Sequence, residues 1–132
     1  MKVTADTSVL VRAVVLDDPA QAAAVNQLLQ QATLIAVSLP CLCEFVWVLR
    51  RVYGFDAAAC AAAIHALLAA NNVVMNRPAV EAGLTLLQAG GDFADGIMAH
   101  EGKWLGGKTF VSFDRQAVKL LAAQGEATRL LP

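Results

Sequence analysis

A chain of 132 residues with a net charge of −1 is one domain by length, large enough for a real core, and carries no general electrostatic footprint for nucleic acid. Hydrophobic residues make up 58% and charged ones 16%, so either nearly every element is buried or an apolar surface is left for a partner. No stretch reads as a membrane span: the longest candidate, 57–70, is mostly Ala, is broken by His65, and falls short of the roughly 18 residues required.

The predicted elements alternate from the start. Residues 2–4 read as a strand that stops at Asp6, and a helix to about residue 16 follows with Val9, Leu10, Ala13 and Val14 on one stripe. Asp17-Asp18-Pro19 ends that helix and starts a second over 19–31. The apolar run 34–37 suits a buried parallel strand. Ser38-Leu39-Pro40 opens a third helix that stops at Gly54, and Asp56 caps an Ala-rich fourth helix over 57–70. Its uniform apolarity predicts burial on several sides, as in a dimer interface.

Residues 73–75 form a candidate third strand, and Pro78 starts a helix to about residue 89. Gly90-Gly91 is a stop, Asp92 begins a helix to about residue 103, and Gly106-Gly107 breaks the chain again. Residues 109–112 read as a strand, Asp114 opens a last helix to about residue 124, and 127–130 as an edge strand. Strands alternating with helices predict an α/β fold whose parallel sheet is covered on both faces. The start lacks the basic-then-apolar order of a signal peptide, which predicts a cytosolic (cytoplasmic) location. Cys41, Cys43 and Cys60 sit in apolar contexts and read as reduced, buried thiols, and the Cys41-x-Cys43 spacing is not that of a usual zinc site.

The acids carry the chemistry. Asp6 at a strand-to-helix junction either caps the next helix, worth about 1 kcal/mol, or occupies the place beyond a strand end where ligands collect. Glu44 has Pro40, Cys41, Trp47 and Val48 as its helical neighbours, an apolar stripe on which an unpaired carboxylate is costly. It is therefore either salt-bridged to Arg12, Arg50 or Arg51, or facing a metal-filled cleft. Asp92 and Asp95 suit the first turn of a helix, yet Asp95 precedes Ile97, Met98 and Ala99 on a stripe that turns inward. Asp114 repeats the Asp6 pattern, with Ser112 two residues before it.

If the strands bearing Asp6 and Asp114 are neighbours, their carboxylates converge, and Glu44 and Asp95 approach from helices. Such a cluster is tolerable only with protons or a hard cation, and oxygen-only donors select Mg²⁺ or Mn²⁺. A carboxylate-held ion suits phosphodiester hydrolysis. Among the remaining polar residues, His65 lies amid Ala and Leu and reads as a core or interface histidine, while His100 points to another face than Asp95. Arg12, Arg50, Arg51, Lys103, Lys108 and Arg115 are available to phosphate, with Arg115 beside Asp114 the foremost.

These stretches resemble the PIN-domain ribonucleases, in particular the VapC toxins of prokaryotic toxin–antitoxin pairs. The resemblance rests on Ala5-Asp6-Thr7-Ser8-Val9-Leu10-Val11-Arg12, on Glu44, on Asp92-Phe93-Ala94-Asp95-Gly96-Ile97-Met98-Ala99, and on Ser112-Phe113-Asp114-Arg115, in that order over essentially the whole chain. It implies a single domain over 1–132, a PIN-like three-layer sandwich with a central, mainly parallel sheet of four to five strands and helices on both faces. It implies an acidic site of Asp6, Glu44, Asp95 and Asp114 with Asp92 at the rim, in which Ser8 and Ser112 orient carboxylates or water. It further implies Mg²⁺- or Mn²⁺-dependent cleavage of RNA, such as tRNA or rRNA, by a metal-activated water, with Arg12 and Arg115 as RNA contacts. A homodimer and inhibition by a cognate antitoxin complete the implied picture. Gly96 stands where Ala is common in the family, and it keeps the helix closely packed.

Three readings compete: the toxin-type endoribonuclease, a phospho-acceptor or phosphatase domain on a flavodoxin-like sheet, and a non-catalytic protein-interaction module. An RNA-processing PIN domain outside a toxin–antitoxin pair is the variant of the first. The second wants another acid beside Asp6 and a Lys at a late strand end, and Thr7-Ser8 and Ser112-Phe113-Asp114 supply neither. The nuclease reading is preferred.

Overall fold

β-branched Val3 and Thr4 begin the chain as strand β1 (Lys2–Thr4), the first of five strands and seven helices in a computed structural model that describes residues 1–132. The chain divides into two units, Met1–Asn76 and Arg77–Pro132, each with its own sheet and core.

In the first unit, β1 leads into α1 (Thr7–Val14) and α2 (Pro19–Gln31), and then β2 (Leu34–Ala36) lies parallel to β1, pairing Val3 with Ile35. From β2 the chain runs through α3 (Leu39–Arg51) and α4 (Ala57–Ala69) to β3 (Val73–Val74), parallel to β2. The order β1-β2-β3, with helix pairs as crossovers, is the arrangement that parallel strands require. Helix α1 packs on α2 and α3, and the core gathers Leu10, Ile35, Leu42, Phe45, Leu49 and Ile64, all at 2% exposure or less.

Helix α1 stops at Val14, two residues before the predicted end. Val15 already takes extended backbone (φ −96°, ψ 109°), and Asp18, held extended before Pro19 (φ −134°, ψ 97°), caps α2 through its own side chain. Helix α3 ends in a glycine turn: Gly54 takes φ +70°, and the Phe55 N–H donates to the Leu49 carbonyl at 2.9 Å. That turn sets Tyr53 beside α1, where its hydroxyl accepts a hydrogen bond from Arg12.

Helix α4 departs from expectation. Only Cys60, Ala61 and Ile64 are buried, whereas Ala58, Ala62, His65, Ala66 and Ala69 are exposed. Its uniform apolarity reflects Ala content rather than burial on several sides, and His65 is not a core histidine. The open face of α4 instead forms one wall of an apolar groove of about 650 Å³, with Ala13, Val14 and Leu29 opposite.

In the second unit, α5 (Arg77–Gln88) and α6 (Phe93–Trp104) pack closely, β4 (Phe110–Ser112) follows, α7 (Arg115–Ala123) covers it, and β5 (Thr128–Leu130) pairs with β4 in parallel. The five strands therefore form sheets of three and two, not one sheet of four to five.

The α5–α6 contact depends on missing side chains. A Cβ at Gly96 would lie 2.6 Å from the Ala82 carbonyl oxygen and 2.9 Å from the Gly83 Cα, both backbone atoms that cannot swing aside. Gly96→Ala is therefore expected to destabilise the chain by about 2 kcal/mol, since overpacking costs 1–3 kcal/mol and outweighs Ala's helix preference of roughly 1 kcal/mol. A urea midpoint equal to or above that of the native sequence would contradict this close packing.

Candidate active site

Four aspartates, Asp18, Asp56, Asp92 and Asp114, stand at helix N-caps and accept a backbone N–H from the first turn; a fifth, Asp6, does not. Its backbone has ordinary capping angles (φ −83°, ψ 159°), so geometry does not forbid a cap. Its Oδ2 instead accepts the Ser8 hydroxyl at 2.9 Å, and the exposed carboxylate opens onto a concavity of about 270 Å³. Glu44 of α3 opens onto the same concavity.

Glu44 is exposed rather than buried along its helical stripe. Arg12, one of its three expected salt-bridge partners, pairs with Asp17 and donates from Nη2 to the Tyr53 hydroxyl at 3.1 Å. Behind the two acids lies the Cys41 thiol, an acceptor for the Thr7 hydroxyl at 3.8 Å. Burial pushes this thiol up from its ordinary value, and the negative charges of Asp6 and Glu44 add to the rise, opposed by the Thr7 bond. A protonated thiol is a poor metal ligand, which leaves this pole of the unit to oxygen.

A separability test follows from the caps. Asp56 accepts the Ala59 N–H at 2.8 Å, so Asp56→Ala is expected to cost about 1 kcal/mol. Asp6→Ala is expected to change the stability of the metal-free protein by less than about 0.5 kcal/mol, as for an exposed residue without a cap. Equal losses in chemical denaturation would show that Asp6 is an ordinary cap after all.

In the second unit, Asp92 accepts the Ala94 N–H at a long 3.4 Å, and Asp95 lies one turn into α6, half-buried. Burial holds the Asp95 carboxyl above the usual carboxylate range, and the negative charges of Asp92 and Asp114 raise it further. These three acids thus feel one another. Asp114 caps α7 twice through a single oxygen, Oδ1, from the N–H groups of Gln116 and Ala117 at 2.9 and 3.1 Å, and leaves Oδ2 outside that cap. The Ser112 hydroxyl accepts the Asp114 N–H at 2.9 Å and so fixes the turn that presents this carboxylate. Arg115 beside it is exposed.

Within neither unit do three or more His, Cys, Asp or Glu side chains gather closely enough to hold a metal ion by themselves. The donor chemistry nevertheless fits a hard divalent cation. Asp6 and Glu44 in one unit, and Asp92, Asp95 and Asp114 in the other, offer carboxylate oxygens, and none of them belongs to the Arg12–Asp17 or Lys103–Glu126 ion pairs. Sequence patterns did not single out Tyr53 or the Val48–Val52 wall of the concavity, because the Arg12–Tyr53 contact spans 41 residues and leaves no local signature.

Comparison with known families agrees with this chemistry. The family model described as the PIN domain matches residues 3–122, well over half of the chain. PIN domains are generally metal-dependent nucleases that use divalent ions such as Mg²⁺ or Mn²⁺. No curated protein matches the chain.

Proposed function

This chain belongs to the PIN-domain family, and on that premise we propose that it is a divalent-metal-dependent endoribonuclease of the VapC toxin type, hydrolysing RNA phosphodiester bonds. The observation that carries the reading is Asp6: an acid at a helix start that forgoes an available cap, is oriented by Ser8, and faces a concavity it shares with a second carboxylate. In this proposal Asp6, Glu44, Asp95 and Asp114 hold Mg²⁺ or Mn²⁺, and Asp92 lies at the rim. When bound, such an ion lowers the pKa of water and offsets the charge that develops on the phosphate.

The remaining work belongs to the chain. Ser8 donates to Oδ2 of Asp6, which accepts no α1 amide. Ser112 and the α7 amides hold Asp114 by its backbone and by Oδ1, so that Oδ2 is the oxygen offered. Asp95, destabilised as an anion by burial and by its acidic neighbours, gains most from a cation. Arg12 and Arg115 contact the RNA, with Arg12 fixed in place by Asp17 and Tyr53.

The toxin role adds two partners, a cognate antitoxin and a second copy of the chain. No helix is long and apolar enough to cross a membrane. The apolar groove between α1, α2 and α4 is a surface in the first unit on which a protein partner could bury area. Induced expression in a bacterial host tests the toxin role. Growth arrest that disappears with Asp6→Asn is the expected result. Normal growth alongside measurable RNA cleavage in vitro would move the chain to the RNA-processing variant. Normal growth with no cleavage would favour the interaction module.

A further inference from the structure

The concavity of about 270 Å³ beside Asp6 and Glu44 is lined by more than acids. Val11, Val48 and Val52 give part of its lining an apolar character, and Arg12 and Tyr53 line it as well. The Tyr53 hydroxyl spends its acceptor capacity on Arg12 Nη2, at 3.1 Å, which leaves its own proton to donate. Arg12 commits Nη1 to Asp17 and Nη2 to Tyr53, and a guanidinium with five N–H donors retains others. The lining thus sets hydrogen-bond donors beside aliphatic side chains.

We infer that this concavity is a nucleobase subsite: the base of the nucleotide next to the scissile phosphate lies against Val11, Val48 and Val52, and Tyr53 and Arg12 donate hydrogen bonds to acceptors on its edge. The inference rests on the nuclease reading and assigns the part of the RNA that the site distinguishes. A phosphate is the poorer occupant, since part of the lining is apolar and Asp6 and Glu44 share the space with like charge. A base offers an apolar face for the aliphatic side chains and ring nitrogens or carbonyl oxygens for the donors. A volume of about 270 Å³ is room enough for one base. Because Tyr53 and Arg12 hold each other, the donors are positioned before the base arrives, and less freedom is lost on binding.

The test uses uncharged nucleosides, so that neither metal nor catalysis is needed. Methyl NMR of the metal-free protein is followed while guanosine, adenosine, cytidine or uridine is added. The expected result is saturable shifts at Val11, Val48 and Val52 with at least one nucleoside, and roughly five- to tenfold weaker binding in Tyr53→Phe, which keeps the ring and removes only the donor. No methyl shift with any of the four, or unchanged affinity in Tyr53→Phe, overturns the subsite. In parallel, the cut sites of the native sequence and of Tyr53→Phe are mapped on one RNA pool with Mn²⁺. A base preference at one position beside the cut that weakens in the variant supports the subsite. The same preference in both overturns it while leaving the nuclease reading intact. Absence of cutting by the native sequence with the nucleoside shifts present removes the nuclease reading, and with it the assignment to a scissile nucleotide.

Discussion

Asp95→Asn is expected to lower RNA cleavage by more than about 100-fold and, in the same protein, to raise the melting temperature measured without metal. The first effect exceeds the 10- to 100-fold lost when a mere neighbour of a metal ligand is changed, because in the proposed site Asn would remove a negative ligand outright. The second follows from burial first and from the charges of Asp92 and Asp114 next, which together hold the Asp95 carboxyl above its ordinary value of 3.8. An acid whose pKa is raised on folding binds more protons folded than unfolded between the two values. Stability therefore falls as pH rises from about 3.8 through the raised value, and at neutral pH the full penalty is present. Asn carries no charge and avoids it. The gain should shrink as the pH is brought down towards 3.8, where the native carboxyl takes a proton and loses its penalty. A variant that melts lower than the native sequence at pH 7 without metal would show that Asp95 is stabilising, as a helix-start acid alone would be.

Metal itself supplies the second large effect. If the acids hold Mg²⁺ or Mn²⁺ only when folded, adding the ion at 100 times its dissociation constant raises the unfolding free energy by about 2.7 kcal/mol. The stabilisation is expected to disappear in Asp6→Asn and in Asp95→Asn and to persist in Asp56→Asn, whose carboxylate caps α4 and does not line the concavity of Asp6 and Glu44. It should also fade as the pH drops, because protons compete with the ion for the carboxylates. Equal stabilisation in all three variants, measured by thermal or urea unfolding, would mean that the ion binds elsewhere or nonspecifically.

Much of the fold was legible because punctuation residues act locally. Asp18-Pro19, Ser38 with Pro40, and Asp56 each mark a helix start, and in each the side chain accepts the expected N–H. Glycine turns at Gly54 and Gly90 take positive φ where helices stop. The grouping of strands was not legible, since a three-residue strand carries no signal of which neighbour it will pair with. Burial on α4 failed for a related reason: Ala scores as apolar yet tolerates water, so hydropathy alone cannot say which face is covered.

The acids divide the same way. Asp6 and Asp114 look alike in sequence, each just past a strand and opening a helix. Asp114 caps twice and Asp6 not at all, its Oδ2 accepting the Ser8 hydroxyl instead. Helical spacing placed Glu44 among apolar residues, but it cannot tell a packed face from one that borders a cavity, and Glu44 lies at such a border. Tyr53 entered only through tertiary contact with Arg12. The positions that carry charge were readable; the competition that decides how each charge is used was not.

Whether these acids cut RNA with a divalent ion is decided by cleavage of a mixed tRNA and rRNA pool by purified protein. Mg²⁺ or Mn²⁺ is compared with EDTA, and Asp6→Asn and Asp95→Asn are run beside the native sequence. Cuts that need the ion and vanish in both variants are the expected result, and the pattern of fragments then identifies the class of RNA. Cuts that survive in both variants, or persist in EDTA, would contradict the acidic site as the seat of catalysis.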